Sequence, residues 1–138
     1  NYAKVGFQCL HNINYWKNGS YIGLGSGAVA SLGGTRYTTI ADVHRYCDLL
    51  ENGQEVWLEK ETLAPEVAFR ETIIMGLRMI NGVSLMDVQH RFGIDTVEYY
   101  GDTLERLIRQ GMLERSEGYL RLTDQGLLLA NTVMAELV

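Results

Sequence analysis

The densest run of chemically capable side chains lies near the start of the chain, where Cys9, His11, Asn12, Asn14, Tyr15 and Trp16 fall within eight positions. Thiolate and imidazole are metal ligands. Cys9 and His11 as a C-x-H pair, with His44 and Cys47 three apart on one helical face, supply the donor types of a tetrahedral zinc site. Their spacings match no familiar zinc module, and two Cys with two His arise readily by chance, so no metal site is expected. The plainer reading of residues 9–16 is a polar turn, with Tyr15 and Trp16 anchored in a core and His11 and Asn12 bonded to backbone. A second candidate is Gly23-x-Gly25-x-x-Ala28, which has the spacing of a dinucleotide loop. Such a loop must open a helix whose N-terminus receives the pyrophosphate, and Gly33 and Gly34 follow too soon for one. A tight strand that lets backbone or ligand come near is the better reading. His90 stands alone on a short helix, with no nucleophile and base beside it.

The elements that must position these residues follow from periodicity. Tyr21 to Ala30 alternates small glycines with Ile22, Leu24 and Val29 and reads as a buried strand, and Arg36 to Ile40 reads as a second. Ala41 to Glu51 reads as a helix, with a linker from there to Leu63. Pro65 suits the first turn of the next helix, whose stripe is Phe69, Ile73, Leu77 and Ile80. Ser84 and Asp87 resemble a capping box opening a short helix that Gly93 closes. Val97, Tyr100, Leu104, Leu107 and Ile108 then line a long helix up to Gly111, with Glu105 and Arg109 spaced for a surface ion pair. Here the period changes from helical to alternating. Met112 to Arg115 and Tyr119 to Leu122 flank a Ser-Glu-Gly loop and predict a hairpin, after which Thr123 caps a last helix with Leu127, Ala130, Met134 and Leu137 inward.

That order predicts an α+β chain, mainly helical, with a winged-helix-like domain over 65–138, a helix and linker over 41–64, and strand structure over 1–40. A winged helix invites a nucleic-acid reading, which needs cations on the recognition helix and wing. From Val83 onward the chain carries five arginines, no lysine and nine carboxylates, a local charge of −4 within a total of −5. The recognition helix would present Asp95, Glu98, Asp102 and Glu105 against Arg106 and Arg109, so no nucleic-acid partner is expected. With 46% hydrophobic and 21% charged residues, no apolar run long enough to span a bilayer and only two cysteines, a soluble protein in a reducing, cytoplasmic setting is expected. The chain begins with Asn1 and carries no signal-peptide pattern, which reads as a piece of something longer.

The string C-x-H-N-x-x-Y-W at Cys9 to Trp16, followed by Tyr21-Ile22-Gly23-Leu24-Gly25-Ser26-Gly27-Ala28, resembles the late barrel region of radical S-adenosylmethionine proteins related to oxygen-independent coproporphyrinogen III oxidase. Glu61 to Glu66, Gly76-Leu77-Arg78, Leu107 to Glu114 and Leu122 to Asn131 are similar to that family's C-terminal domain, so the resemblance covers essentially the whole chain. The H-N-x-x-Y-W string resembles the heme chaperone branch in particular. The resemblance implies that residues 1–40 are the C-terminal edge of an incomplete radical barrel and that 65–138 are an accessory domain. It implies a parent protein with a 4Fe-4S cluster, S-adenosylmethionine and heme, which passes heme to an acceptor protein. Peripheral contact with membrane-bound heme proteins, without integral insertion, goes with that role. A coproporphyrinogen oxidase, performing oxidative decarboxylation, is the alternative. On matching positions, the resemblance implies His11 as a heme ligand with Tyr15 and Trp16 beside it, and Gly25, Gly27 and Val29 as the lining of an S-adenosylmethionine pocket. Many chaperone-branch members carry His where this chain has Val29. The family's cluster motif, C-x3-C-x2-C, is absent here, so this chain alone cannot assemble the cluster or perform the redox step.

Overall fold

Glycine-rich loops and apolar helical stripes separate into two units in the computed structural model, which describes residues 3–138. One unit comprises residues 1–18 with 65–138, and the other comprises 19–64. The two units divide after residue 64, and the strands on either side of residue 40 belong to one sheet.

In the smaller unit, β1 (Val29–Leu32), β2 (Thr35–Thr39) and β3 (Trp57–Thr62) form an antiparallel sheet in that order, with α2 (Val43–Glu51) between the last two. The sheet is an antiparallel meander. β1 and β2 turn through Gly33 and Gly34 in the register Val29↔Thr38, and β2 meets β3 in the register Thr35↔Thr62. Asp42 caps α2 by accepting from the Arg45 amide at 2.8 Å. β3 occupies the segment expected to be a linker. Its Trp57-Leu58-Glu59-Lys60-Glu61-Thr62 is exposed after Trp57, so an edge strand here carries no apolar alternation. The strand expected over Tyr21 to Ala30 is also shorter. Only Val29 onward is regular, Tyr21 makes an isolated bridge to Ser31, and Ile22 and Leu24 are exposed.

The larger unit begins with α1 (Leu10–Trp16), where a turn was expected. It continues with α3 (Pro65–Leu77), β4 (Val83–Ser84), α4 (Leu85–Phe92), α5 (Thr96–Arg109), β5 (Leu113–Ser116), β6 (Tyr119–Leu122), α6 (Asp124–Leu128) and α7 (Ala130–Ala135). β4 joins the hairpin to give a sheet of order β4-β6-β5. The hairpin turn falls on Glu117 and Gly118, both at positive φ, as a tight two-residue connection requires. Phe69, Ile73 and Leu77 of α3, Leu104 and Leu107 of α5, and Leu113, Leu120 and Leu137 are fully buried in one core. Around Phe69 the rings of Phe92, Tyr99 and Tyr100 pack at centroid distances of 6.0, 4.8 and 5.9 Å. Ser84 caps α4 through the Asp87 amide, and Asp95 caps α5 through the amides of Val97 and Glu98.

Two stripes end sooner than their periodicity implied. Ile80 lies beyond the end of α3 and is exposed. The last helix breaks at Leu129, so Leu127 faces solvent while Val133, Met134 and Leu137 face the core.

Candidate functional site

His11 sits in the first turn of α1, exposed, with Tyr15 one turn further along the same face. The two rings are perpendicular, with centroids 4.8 Å apart. Trp16 closes the helix and is half-buried. α1 has seven residues, no side-chain cap at Cys9 and no fully buried side chain. A helix this short is marginal alone, so its position must come from tertiary contacts.

Several of those contacts lie at its C-terminal end. Asn18 adopts a left-handed conformation, φ 50°, directly after the helix. Its Nδ2 donates to Glu71 Oε2 at 3.3 Å and to Thr72 Oγ1 at 3.1 Å, both on α3. Thr72 is itself buried and donates to the Ala68 carbonyl. From α4, Arg91 Nη1 donates to the Lys17 carbonyl at 3.2 Å and Nη2 to the Asn18 carbonyl at 2.7 Å. A guanidinium on the last carbonyls of a helix also meets the negative end of its dipole. Arg91 lies 4.9 Å from the Phe92 ring centre, and Phe92 packs on the buried Phe69. A continuous path of contacts thus runs from the core to the helix bearing His11. Sequence reasoning missed Asn18, Glu71, Thr72 and Arg91. Their partners lie 53 to 74 positions away, and only Asn as a residue tolerant of positive φ gave any local hint.

In the other unit, Gly25 and Gly27 lie in a loop leading into β1, whose first residue is Val29. Gly25 and Gly27 have φ of 103° and 69°, which side-chain-bearing residues rarely adopt. Gly23 is required for a different reason, since a Cβ there would lie 2.2 Å from the Val29 carbonyl oxygen. The close approach expected of this segment is therefore made by the chain's own backbone. Buried Thr39 laces the loop: its hydroxyl donates to the Gly25 carbonyl at 2.7 Å and accepts from the Ala28 amide at 2.8 Å. The Gly27 amide reaches the Ile40 carbonyl at 2.9 Å. At Gly25 the space a Cβ would take is open, so the loop presents bare backbone to an incoming group.

The other candidates do not assemble. Cys9 and Cys47 are free and exposed, and among the described residues no group of three or more His, Cys, Asp or Glu side chains is arranged to hold a metal ion. On the hairpin, Arg121 Nε pairs with Glu114 Oε1 at 2.5 Å, and Arg106 of α5 pairs with Glu136, so two of the cations that a phosphate backbone would need are engaged. Among the described residues no helix is long and apolar enough to cross a membrane.

Comparison with known proteins shows what this chain is similar to. Residues 63–129 match the family model described as the HemN C-terminal domain. The chain superposes on coproporphyrinogen III oxidase (HemN) from Escherichia coli, a radical SAM enzyme, with TM-score 0.65 at 15% identity, over 86% of this chain and 28% of that one. Among curated relatives, the heme chaperone HemW of Bacillus subtilis is 33% identical over 133 residues, covering 96% of this chain and 35% of the relative. HemW of Lactococcus lactis matches with the same identity and coverage, and HemW of Escherichia coli is 28% identical over 137 residues. The chain spans about a third of the length of these relatives. The mixed α+β fold and the resemblance to the C-terminal part of this radical SAM family both stand.

Proposed function

We infer that this chain is the heme-handling C-terminal portion of a radical SAM heme chaperone, which binds heme and delivers it to an acceptor protein. The observation that carries this reading is the moored helix α1: it offers the exposed imidazole of His11, backed by the perpendicular ring of Tyr15, at a place anchored to the HemN C-terminal domain. Imidazole is a common axial ligand of heme iron, and flanking aromatic rings suit a porphyrin face. Heme is cargo here. Tyr15 and Trp16 would hold the macrocycle while His11 takes the iron. That relatives matching 96% of this chain are named heme chaperones supports the same reading.

The parent would also carry a 4Fe-4S cluster and S-adenosylmethionine, which together supply radical chemistry when bound. The residues present do not fit the cluster, because three thiolates are needed and the sequence has Cys9 and Cys47 alone. They do fit a lining role for S-adenosylmethionine. The open space at Gly25, the turn at Gly27 and the exposed flank of Val29 leave main chain accessible, and Thr39 keeps it in place. A cytoplasmic location, and peripheral docking to membrane-bound heme proteins during delivery, go with this role.

Titration of the full-length protein with hemin tests the reading. His11→Ala is expected to weaken binding and shift the Soret band, and unchanged binding and spectrum would remove His11 as ligand. Anaerobic conversion of coproporphyrinogen by the reconstituted protein would favour the oxidase instead; no turnover is expected.

A further inference from the structure

We propose that Arg91, acting with Asn18, is a positioning residue for heme ligation: the C-terminal domain sets where His11 stands by gripping the far end of α1. This rests on the reading of His11 as ligand. The physical case is that a seven-residue helix such as α1 depends on tertiary contacts for its position. It buries no side chain fully and has no side-chain cap at its start. Its C-terminal end is held at Lys17–Asn18, where Arg91 donates to two successive carbonyls and Asn18 reaches across to Glu71 and Thr72. Arg91 can do this because its guanidinium lies over Phe92, which is wedged against Phe69 of the core, so little side-chain freedom is lost on making the grip. His11 lies two turns upstream on the same short rod. A shift in the C-terminal end is therefore carried to the imidazole, and apparent heme affinity falls in proportion to the fraction of molecules with α1 in place.

The test uses the full-length protein and hemin as probe, with hydrogen exchange of residues 10–18 read alongside. Arg91→Ala is expected to speed exchange across 10–18, leave exchange at 104–108 unchanged, raise the apparent dissociation constant by roughly five- to tenfold, and move the Soret band toward that of His11→Ala. Arg91→Lys keeps the charge but not the fork, and should recover part of the affinity. Asn18→Gly preserves the positive-φ backbone while deleting the side-chain bonds, and should act in the same direction without risk to the fold. Normal exchange over 10–18 in Arg91→Ala would overturn the grip itself. Wild-type hemin binding by Arg91→Ala, in a protein where His11→Ala binds poorly, would overturn the positioning role while leaving His11 as ligand. Wild-type binding by His11→Ala would instead refute the ligand and, with it, positioning for ligation, even where exchange shows the grip.

Discussion

Thr39→Val is the sharpest test of how the glycine loop is held. Valine has the shape of threonine without the hydroxyl, so the substitution removes the donor to the Gly25 carbonyl and the acceptor for the Ala28 amide without opening a cavity. The Ala28 amide keeps only a 3.4 Å approach to the Gly25 carbonyl, too long to replace the lost bond. Leaving a buried polar group unpaired costs about 1–3 kcal/mol. Both groups here are part-buried, so a combined cost near the low end, about 1–2 kcal/mol, is expected to fall on local opening of the loop. At about 1.4 kcal/mol per tenfold, hydrogen exchange should accelerate roughly five- to thirtyfold in a peptide spanning residues 25–40, whose reporters are the Gly27 and Thr39 amides. The hairpin of β5 and β6 serves as the unaffected control, and Thr39→Ser should restore protection. Wild-type exchange over 25–40 in the valine variant would refute the lacing.

Two further substitutions probe the larger unit. In Gly126→Ala the new Cβ would lie 1.9 Å from the Met112 carbonyl oxygen, so α6 must shift against the hairpin; a loss of about 3 kcal/mol is expected in urea unfolding, and a loss below about 0.5 kcal/mol would contradict the packing. Burial, with the neighbouring Tyr99 as a lesser cause, raises the ionisation of the Tyr100 phenol above its ordinary 10.0, and the phenol donates to the Leu137 carbonyl at 2.9 Å. A raised folded pKa gives stability that is present below the unfolded value and lost as pH rises past it. Tyr100→Phe should therefore cost about 1 kcal/mol at neutral pH and flatten the decline of stability above about pH 10; equal slopes in the two proteins would refute this.

What the sequence revealed depended on whether a segment's position is set locally. The stripe of α5, the Ser84 cap and the alternating hairpin around Glu117-Gly118 were legible because period, cap and turn chemistry agree there. β3 was not, since Trp57–Thr62 is an edge strand exposed along most of its length and reads as polar coil. α1 was missed for a related reason. Leu-His-Asn-Ile-Asn-Tyr-Trp has two asparagines and no buried stripe, and long-range bonds from Arg91 and Asn18 locate it. The strand expected across Tyr21–Ala30 came from treating alternate glycines as strand positions. Positive φ at Gly25 and Gly27 makes them a turn, and Thr39, which holds that turn, lies eleven to fourteen residues downstream with no motif to mark it. In the last helix, a single period was extended through Leu129, where the backbone breaks.

Ligation of heme by His11 is tested most directly by low-temperature electron paramagnetic resonance of the full-length protein loaded with ferric heme. The wild-type signal should be that of histidine-ligated iron, lost in His11→Ala and recovered when free imidazole is added to the variant. A wild-type signal in His11→Ala without imidazole would contradict it.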